Sequence, residues 1–310
     1  MINLALIGVG QWGKNFITTI DTIPNSRLKY ICAVSSETLN SLSGKYIKTN
    51  DYKDLYKYSD IDGIIIATPG STHFKIASEF IKRDFNVLIE KPLSTNYKDA
   101  LNLQKIFNEK KIKVLIGHTL LYNPAFAEFQ NLSKKIGKIR YIKFDMGNFG
   151  PFRSDMSVLW DWGPHAISAC LAILNKEPIK LRAWGLNDTV LINLSYEAGL
   201  EVFVEVSWIF PLKKRKIIIV GENDSIIFDD MKDNKLTYFK NPGGEKSLIS
   251  YPSYPKGTPL TIEVTDFINS IEKNSKPLSD TRLGVKVAHL LSLAELSIEK
   301  GGRYVRNNAA

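Results

Sequence analysis

The sequence predicts an α/β protein with a doubly wound parallel sheet in its first part and an α+β second part around a largely antiparallel, open sheet. Three observations predict it. The chain has 310 residues, enough for about two domains at roughly 150 residues each. Short apolar runs alternate with helical patterns through the first part, and strands that alternate apolar and polar residues follow. We place the domains at residues 1–121 and 122–310.

Five apolar runs in the first part are continuous, which indicates strands buried on both faces, as in a parallel sheet covered by helices. They are residues 3–8, 28–34, 63–67, 87–89 and 113–117. Between them, residues 72–83 and 96–110 carry apolar residues at steps of three and four, the spacing of amphipathic helices. This repetition of strand and helix is typical of a doubly wound domain.

The second part shows strands with one packed and one solvated face. Residues 189–196 and 200–208 alternate and are joined by three residues, which predicts an antiparallel hairpin. Further strands are expected at residues 139–146, 216–220 and 225–228. Helices are expected at residues 259–272 and 283–300, the second ending at Gly301 and Gly302.

Composition excludes several classes of protein. With 44% hydrophobic and 24% charged residues, the chain is neither disordered nor collagen-like. No apolar run approaches the roughly 18 residues of a membrane span, and the apolar start lacks the basic region of a signal peptide. Two cysteines favour a cytoplasmic protein. The net charge is +9, but the basic residues are scattered, so we expect no nucleic-acid partner and no membrane partner.

A glycine-rich loop follows the first strand and leads into a helical stretch. In such a loop, glycines allow a tight turn, close approach of the backbone to a pyrophosphate and close packing of helix on strand. The pyrophosphate then lies at a helix N-terminus, which favours an anion. The loop predicts dinucleotide binding by Gly8, Gly10, Gln11, Trp12 and Gly13.

The end of the second strand leaves the choice between NAD and NADP open. An acidic residue is usual there and binds the ribose 2′-hydroxyl, but this chain has Ser35 and Ser36, with Glu37 two places late. Two hydroxyls could hydrogen-bond a 2′-phosphate, yet no arginine lies beside them. We expect Ser35 and Ser36 to contact the cofactor, whichever it is.

Four further motifs recur in one family. They are Ala67-Thr68-Pro69 followed by His73, then Glu90-Lys91-Pro92, then Tyr122-Asn123-Pro124 after His118, and finally Trp160-Asp161-Trp162-Gly163-Pro164-His165. In this order and spacing, the sequence resembles the Gfo/Idh/MocA family, which includes glucose–fructose oxidoreductase and inositol dehydrogenase. The resemblance extends over nearly the whole chain.

The resemblance implies a Rossmann domain and an α/β domain whose open sheet often serves oligomerisation, so we expect a homodimer or homotetramer. It also implies reversible hydride transfer between a nicotinamide and a secondary alcohol of a sugar, a polyol or a nucleotide-linked sugar. The family's functional lysine, aspartate and histidine map onto Lys91, Asp161 and His165. Ser168 stands where the family often has an aspartate.

These three residues can support the oxidation of an alcohol. The reaction needs a base for the hydroxyl proton and a donor for the developing alkoxide. We assign the base to His165, with Pro164 at the first helical position and the helix dipole keeping the imidazole neutral. Lys91 polarises the oxygen and holds the nicotinamide half, oriented by Glu90. Asp161 orients His165 or Lys91, or binds a substrate hydroxyl. We expect Lys91 and His165 to converge on one carbon.

The remaining candidates surround these motifs. For the cofactor they are Thr68, Pro69 and Glu90, with His73 contacting it or supporting its loop. For the substrate they are His118, Asn123, Arg153 and Trp160. The basic run at residues 213–216 binds a phosphate or is a solvated face. No spacing predicts a metal site. Two alternatives stay open: a non-catalytic NAD(P)-binding regulator on the same fold, and a reductase of a non-sugar substrate.

Overall fold

The structure is a computed structural model that describes residues 1–244 and 247–308. The chain forms two compact units, of which the first contains residues 1–119 and 258–288 and the second contains residues 120–257 and 289–310. Unlike the predicted domains 1–121 and 122–310, the first unit therefore includes a segment from late in the sequence.

The elements of regular structure are as follows. The strands are β1 (Ile2–Ile7), β2 (Ser26–Cys32), β3 (Ile47–Thr49), β4 (Gly63–Ile66), β5 (Asn86–Glu90), β6 (Val114–Gly117), β7 (Ile139–Phe149), β8 (Lys180–Leu186), β9 (Thr189–Ser195), β10 (Glu201–Ser207), β11 (Ile209–Gly221), β12 (Asp224–Asp229), β13 (Leu236–Lys240), β14 (Leu248–Ser250) and β15 (Val305–Arg306). The helices are α1 (Gln11–Ile20), α2 (Ser36–Ser41), α3 (Gly70–Lys82), α4 (Tyr97–Asn108), α5 (Pro124–Ser133), α6 (Val158–Leu174), α7 (Pro259–Glu272) and α8 (Thr281–Glu299).

The first unit is built on a six-stranded parallel sheet. Its strand order is β3-β2-β1-β4-β5-β6, which is the order of a doubly wound dinucleotide-binding fold. The predicted fold class is confirmed, and all five predicted strands form. The short strand β3 was not predicted, because its three residues are exposed or half-buried and carry no apolar run.

The strand order determines which loops lie together in the first unit. Strand β1 pairs with β4, β4 with β5, and β5 with β6, all in parallel. Their carboxyl ends therefore meet at one edge of the sheet, where ligands of such folds bind. The glycine loop, the Thr68 segment and the Glu90-Lys91 segment follow β1, β4 and β5 at that edge.

The second unit is built on a nine-stranded sheet in the order β14-β13-β12-β11-β7-β10-β9-β8-β15. All neighbouring strands are antiparallel except β7 and β10, so the expectation of a largely antiparallel sheet is confirmed. The predicted hairpin forms between β9 and β10. On β10, Val202, Val204 and Val206 are buried and Phe203 points to the other face. Helix α6 packs against β7, β9 and β10.

Across the described part of the chain, none of the helices is both long enough and apolar enough to cross a membrane.

Candidate active site

Two glycines of the loop are required by packing inside the first unit. Gly8 has φ +95°, and a Cβ there would lie 2.6 Å from the carbonyl oxygen of Ala67. A Cβ on Gly13 would lie 2.1 Å from the carbonyl oxygen of Gly8. Both distances are far below a normal contact, so only glycine allows this turn and the close packing of α1 on the loop.

Gly10 differs from the other two glycines, because a Cβ on it would meet nothing within 4 Å. It precedes α1, whose first turn has neither a side-chain cap nor an acidic residue. The unpaired N–H groups and the dipole of that turn therefore favour an anion. The open space at Gly10 beside this helix N-terminus fits a pyrophosphate, so the residues present suit a dinucleotide.

The two serines after β2 both accept local hydrogen bonds. Ser35 Oγ accepts from the backbone N–H of Thr38 at 3.1 Å and caps α2, and Ser36 Oγ accepts from Asn50 Nδ2 at 3.0 Å. Each hydroxyl keeps its own hydrogen to donate, and both side chains are exposed. A ribose hydroxyl and a phosphate can each accept such a bond, so these contacts do not discriminate between the two cofactors.

Glu90, at the end of β5, is a buried residue whose carboxyl group holds the backbone of the Lys91 segment. One carboxylate oxygen accepts from the Trp12 indole N–H, and the other accepts from the backbone N–H of Lys91 at 3.2 Å. Gly117 pairs with Glu90 across the sheet, and a Cβ there would lie 3.3 Å from the Glu90 side chain. Burial raises the pKa of Glu90 to about 7, opposed by the charge of Lys91 and the Trp12 hydrogen bond. The glycine loop and Lys91 are thus linked through one carboxyl group.

His73, in α3, connects two loops at the same edge of the sheet. Its Nδ1 lies 2.7 Å from the carbonyl oxygen of Pro92, and its Nε2 lies 2.8 Å from the carbonyl oxygen of Thr68. The ring is buried. Of its two expected roles, this geometry favours support of the loop, because both ring nitrogens face backbone carbonyl groups.

His118 follows β6 and is also buried in the first unit. Its Nδ1 lies 2.8 Å from Ser279 Oγ. Burial, with a further contribution from the charge of Lys91, lowers the pKa of His118 to about 3. The ring is therefore neutral at physiological pH.

The helix that carries His165 begins earlier than predicted. Helix α6 starts at Val158, after Ser157 as N-cap, so Pro164 lies inside the helix and His165 in its middle. The prediction that Pro164 is the first helical residue is wrong. His165 lies seven residues after the start of the helix, beyond the first turn in which the dipole acts, so the helix dipole gives no reason for a neutral His165.

Two contacts of His165 are with residues of its own helix. The ring is half-buried, and its centroid lies 5.6 Å from that of Trp162. Ser168 Oγ donates to the carbonyl oxygen of His165 at 3.2 Å. The Ser168 hydroxyl therefore bonds to the helix backbone at the position where the family often has an aspartate.

Asp161 is held by two partners within the second unit. Its Oδ2 accepts from the indole N–H of Trp208 at 2.9 Å, and its Oδ1 lies 3.5 Å from Nε of Arg153. The residue is 9% exposed. The carboxylate is therefore fixed in position one helical turn before His165, and Arg153 is an ion-pair partner of this carboxylate.

Two expected substrate residues have structural partners instead. Asn123 is buried, caps α5 by accepting from the backbone N–H of Ala125, and donates to Asp230 Oδ1 at 3.0 Å. Trp160 is 3% exposed and donates its indole N–H to Glu295 at 2.6 Å. Within this unit, the ring of Trp160 does not offer a free face on which a sugar could stack.

The aromatic ring that lies beside His165, that of Trp162, was not among the substrate-binding residues predicted from the sequence. Trp162 is half-buried, and the guanidinium carbon of Arg215 lies 5.5 Å from its ring centroid. Arg215 also pairs with Asp230 at 3.4 Å. Arg215, a member of the basic run at residues 213–216, therefore stacks on a residue of α6, the helix that carries His165.

Comparison with known proteins now identifies the family. A model described as the Gfo/Idh/MocA oxidoreductase family with an NAD-binding Rossmann fold matches residues 2–118. A model of the Gfo/Idh/MocA C-terminal domain matches residues 132–227, and together the two cover well over half of the chain. The chain belongs to the Gfo/Idh/MocA family of oxidoreductases. The family and the NAD-binding fold expected from the sequence are confirmed.

Relatives within the family act on several alcohols. The chain is 22% identical over 258 residues to UDP-N-acetylglucosamine 3-dehydrogenase of Acidithiobacillus ferrooxidans, covering 78% of this chain and 80% of that protein. It is 23% identical over 297 residues to an NADP-dependent scyllo-inositol 2-dehydrogenase of Bacillus subtilis, covering 88% and 89%. The solved structure of the A. ferrooxidans enzyme superposes with a TM-score of 0.86 at 22% identity, covering 96% and 98% of the chains. The fold is therefore shared along nearly the whole length.

Proposed function

We propose that the protein is an NAD(P)-dependent dehydrogenase or reductase that acts on a secondary alcohol or ketone of a sugar, a polyol or a nucleotide-linked sugar. The observation that carries the proposal is the link from the glycine loop through Trp12 and Glu90 to Lys91. This link connects the loop expected to bind the dinucleotide with Lys91, the lysine expected to contact the reacting oxygen of the substrate. The named substrates of the relatives support the class of substrate.

The first unit binds the cofactor and contributes a cation, the ammonium group of Lys91. When bound, a nicotinamide dinucleotide supplies the hydride acceptor or donor. The space at Gly10 and the N-terminus of α1 hold its pyrophosphate. The ammonium group of Lys91 donates a hydrogen bond to the substrate oxygen and stabilises the alkoxide character that develops there. Glu90 fixes the backbone that carries Lys91.

The second unit supplies the base. His165 accepts the hydroxyl proton during oxidation and returns it during reduction. Asp161, held by Trp208 and Arg153, keeps a negative charge one turn away on the same helix. A carboxylate near an imidazole favours the protonated imidazolium that forms in the reaction.

A ligand and substrate screen tests this function. Addition of NAD, NADP, UDP- and GDP-linked sugars and free polyols is followed by thermal unfolding and by dinucleotide absorbance. A cofactor at about 100 times its Kd is expected to stabilise the fold by about 2.7 kcal/mol. Turnover with one sugar or polyol class is expected in wild type and is lost in His165→Asn. Tight dinucleotide binding with no turnover across the whole panel would contradict the enzymatic role and favour the regulator.

We also propose that the protein forms a homodimer or homotetramer through the outer face of the second sheet. Three large side chains, Trp184, Leu191 and Phe203, lie on neighbouring strands there and are each 39–41% exposed. Such contiguous apolar surface is typical of an interface. Size-exclusion chromatography with light scattering is expected to give an oligomer for wild type and a smaller species for Phe203→Glu. The control Ile47→Glu, on β3 of the first unit, leaves the mass unchanged. A monomeric wild type contradicts the proposal.

A further inference from the structure

Arg215, in the basic run on β11, lies on the buried face of the second sheet. It precedes Ile217 and Ile219 by two and four residues, and alternation along a strand puts all three on one face. Both isoleucines are fully buried, and the pairing of β11 with β7 is regular from Lys214 to Val220. The sheet therefore holds Arg215 at the end of a buried apolar row, whereas Lys214 belongs to the opposite face.

Arg215 reaches the helix that carries His165. Its guanidinium carbon lies 5.5 Å from the ring centroid of Trp162, and the ring centroids of Trp162 and His165 lie 5.6 Å apart. The guanidinium is therefore no farther from the imidazole than these two distances laid end to end. A ligand that binds both groups is then about as long as one sugar ring with a hydrogen bond of about 3 Å at each end.

Two cations share one carboxylate at this point. Asp230 Oδ2 accepts from Nη1 of Arg215 at 3.4 Å, and its Oδ1 accepts from Lys235 at 2.7 Å and from Asn123 at 3.0 Å. The side chain of Asp230 is 14% exposed, compared with 39% for Arg215 and 31% for Lys235. The carboxylate is thus enclosed while both cations can still be reached, and these three charged side chains carry one net positive charge.

A third cation adds to this charge. Lys213 precedes Arg215 by two residues and is exposed. The charge of Arg215, followed by burial, lowers the pKa of Lys213, and the negative charge of Asp230 opposes this shift without cancelling it. On α6, the carboxylate of Asp161 is paired with a different cation, Arg153. These described groups therefore carry an excess of positive charge beside the site helix, which favours an anionic ligand.

We propose that Arg215 binds an anionic group of the substrate, a carboxylate or a phosphate that lies within one sugar ring of the reacting alcohol. A guanidinium has five N–H donors in one plane, and the pair with Asp230 uses one of them. Arginine binds carboxylates and phosphates through two parallel hydrogen bonds. The substrate is then an acidic sugar, a sugar phosphate or a nucleotide-linked sugar, not a neutral sugar or polyol. Because His165 is taken as the base, the proposal rests on the proposed function.

Matched neutral and charged ligands test this specificity. The protein, saturated with NAD(P)H so that the dinucleotide site is filled, is titrated by calorimetry with glucose, glucuronate, glucose 1-phosphate and UDP-glucose, and with the corresponding compounds of galactose and mannose. In at least one series, a charged member is expected to bind tenfold or more tightly than the neutral sugar. The member that binds shows whether a carboxylate, a phosphate or a nucleotide is the source. Equal or tighter binding of the neutral sugars overturns the anion site, as does failure of every charged member to bind.

Two variants of the same strand localise the effect. Arg215→Met is expected to weaken binding of the charged ligand about ten- to hundredfold, as the loss of a hydrogen bond to a charged group does. Affinity in wild type is expected to fall as NaCl screens the charges, and to fall less in Arg215→Met. The matched control is Lys214→Met, since Lys214 lies 4.1 Å from the ring centroid of Phe210. It is expected to keep the wild-type affinity and salt dependence. Wild-type behaviour of Arg215→Met, or equal losses in both variants, overturns the site.

A conservative variant protects this test against a folding defect. Arg215→Lys keeps a cation beside Asp230 but lacks the planar fork, so its affinity is expected to lie between those of wild type and Arg215→Met. Where turnover is found, the change is expected in KM for the charged substrate, with kcat within about threefold of wild type, because the anion is bound equally in the ground and transition states. A charged ligand that binds without turnover in any form contradicts the proposed function, while the affinities of the variants still decide the anion site.

Discussion

Replacement of Lys91 by methionine is expected to lower kcat for the alcohol oxidation by about 10²- to 10³-fold, as the loss of a charge-stabilising donor does elsewhere. Methionine keeps the length of the side chain but cannot donate to a developing alkoxide. Dinucleotide binding is expected to stay measurable, because the glycine loop and the N-terminus of α1 are untouched. Steady-state kinetics and calorimetric titration with NAD(P)H measure the two quantities separately.

Two comparisons make the Lys91 result specific. Lys75→Met, at an exposed position on α3, is expected to leave kcat unchanged. A Lys91→Met/His165→Asn double variant is expected to lose little more than the worse single variant, because residues that act in one step are strongly non-additive. Turnover close to wild type in Lys91→Met removes the assigned role, and simple addition of the two losses argues that the residues do not serve the same step.

Substitution of glycines in the loop is expected to separate folding from cofactor binding. In Gly13→Ala the new Cβ would lie 2.1 Å from the Gly8 carbonyl oxygen, so α1 must move away from β1. Overpacking of this kind typically costs about 1–3 kcal/mol and sometimes more, and contact with rigid backbone places it at the upper end. A fall of about 3 kcal/mol in the free energy of unfolding, measured by urea denaturation, is the expected result.

Gly10→Ala is the matched control within the same loop. Its Cβ meets nothing within 4 Å in the protein alone, so the free energy of unfolding is expected to change by less than about 0.5 kcal/mol. The methyl group enters the space assigned to the pyrophosphate, and the Kd for NAD(P)H is expected to rise by about tenfold or more, which is about 1.4 kcal/mol. Unchanged affinity in Gly10→Ala contradicts the assignment of this space to the dinucleotide.

Much of the fold was predictable because its signals are local. Strands β1, β2, β4, β5 and β6 are continuous apolar runs, and the β9–β10 hairpin alternates along both arms. Helix α7 begins and ends at the predicted residues 259 and 272. The elements that were not predicted are strands β3, β8, β13, β14 and β15, helices α2 and α5, and the start of α6. Strand β3 is too short to carry a pattern, and α6 has a proline in its interior that resembles a helix start.

The sequence by itself determined the doubly wound sheet, the glycine loop and the order of motifs that marks the family, because backbone preferences and periodic burial act over a few residues. Only the tertiary structure decided which polar groups meet. The indole of Trp12 reaches Glu90 and that of Trp208 reaches Asp161, and the two members of each pair are too far apart in sequence for a local pattern to predict the contact. The ionisation of a buried group depends on those distant neighbours, since they replace the water that it has lost.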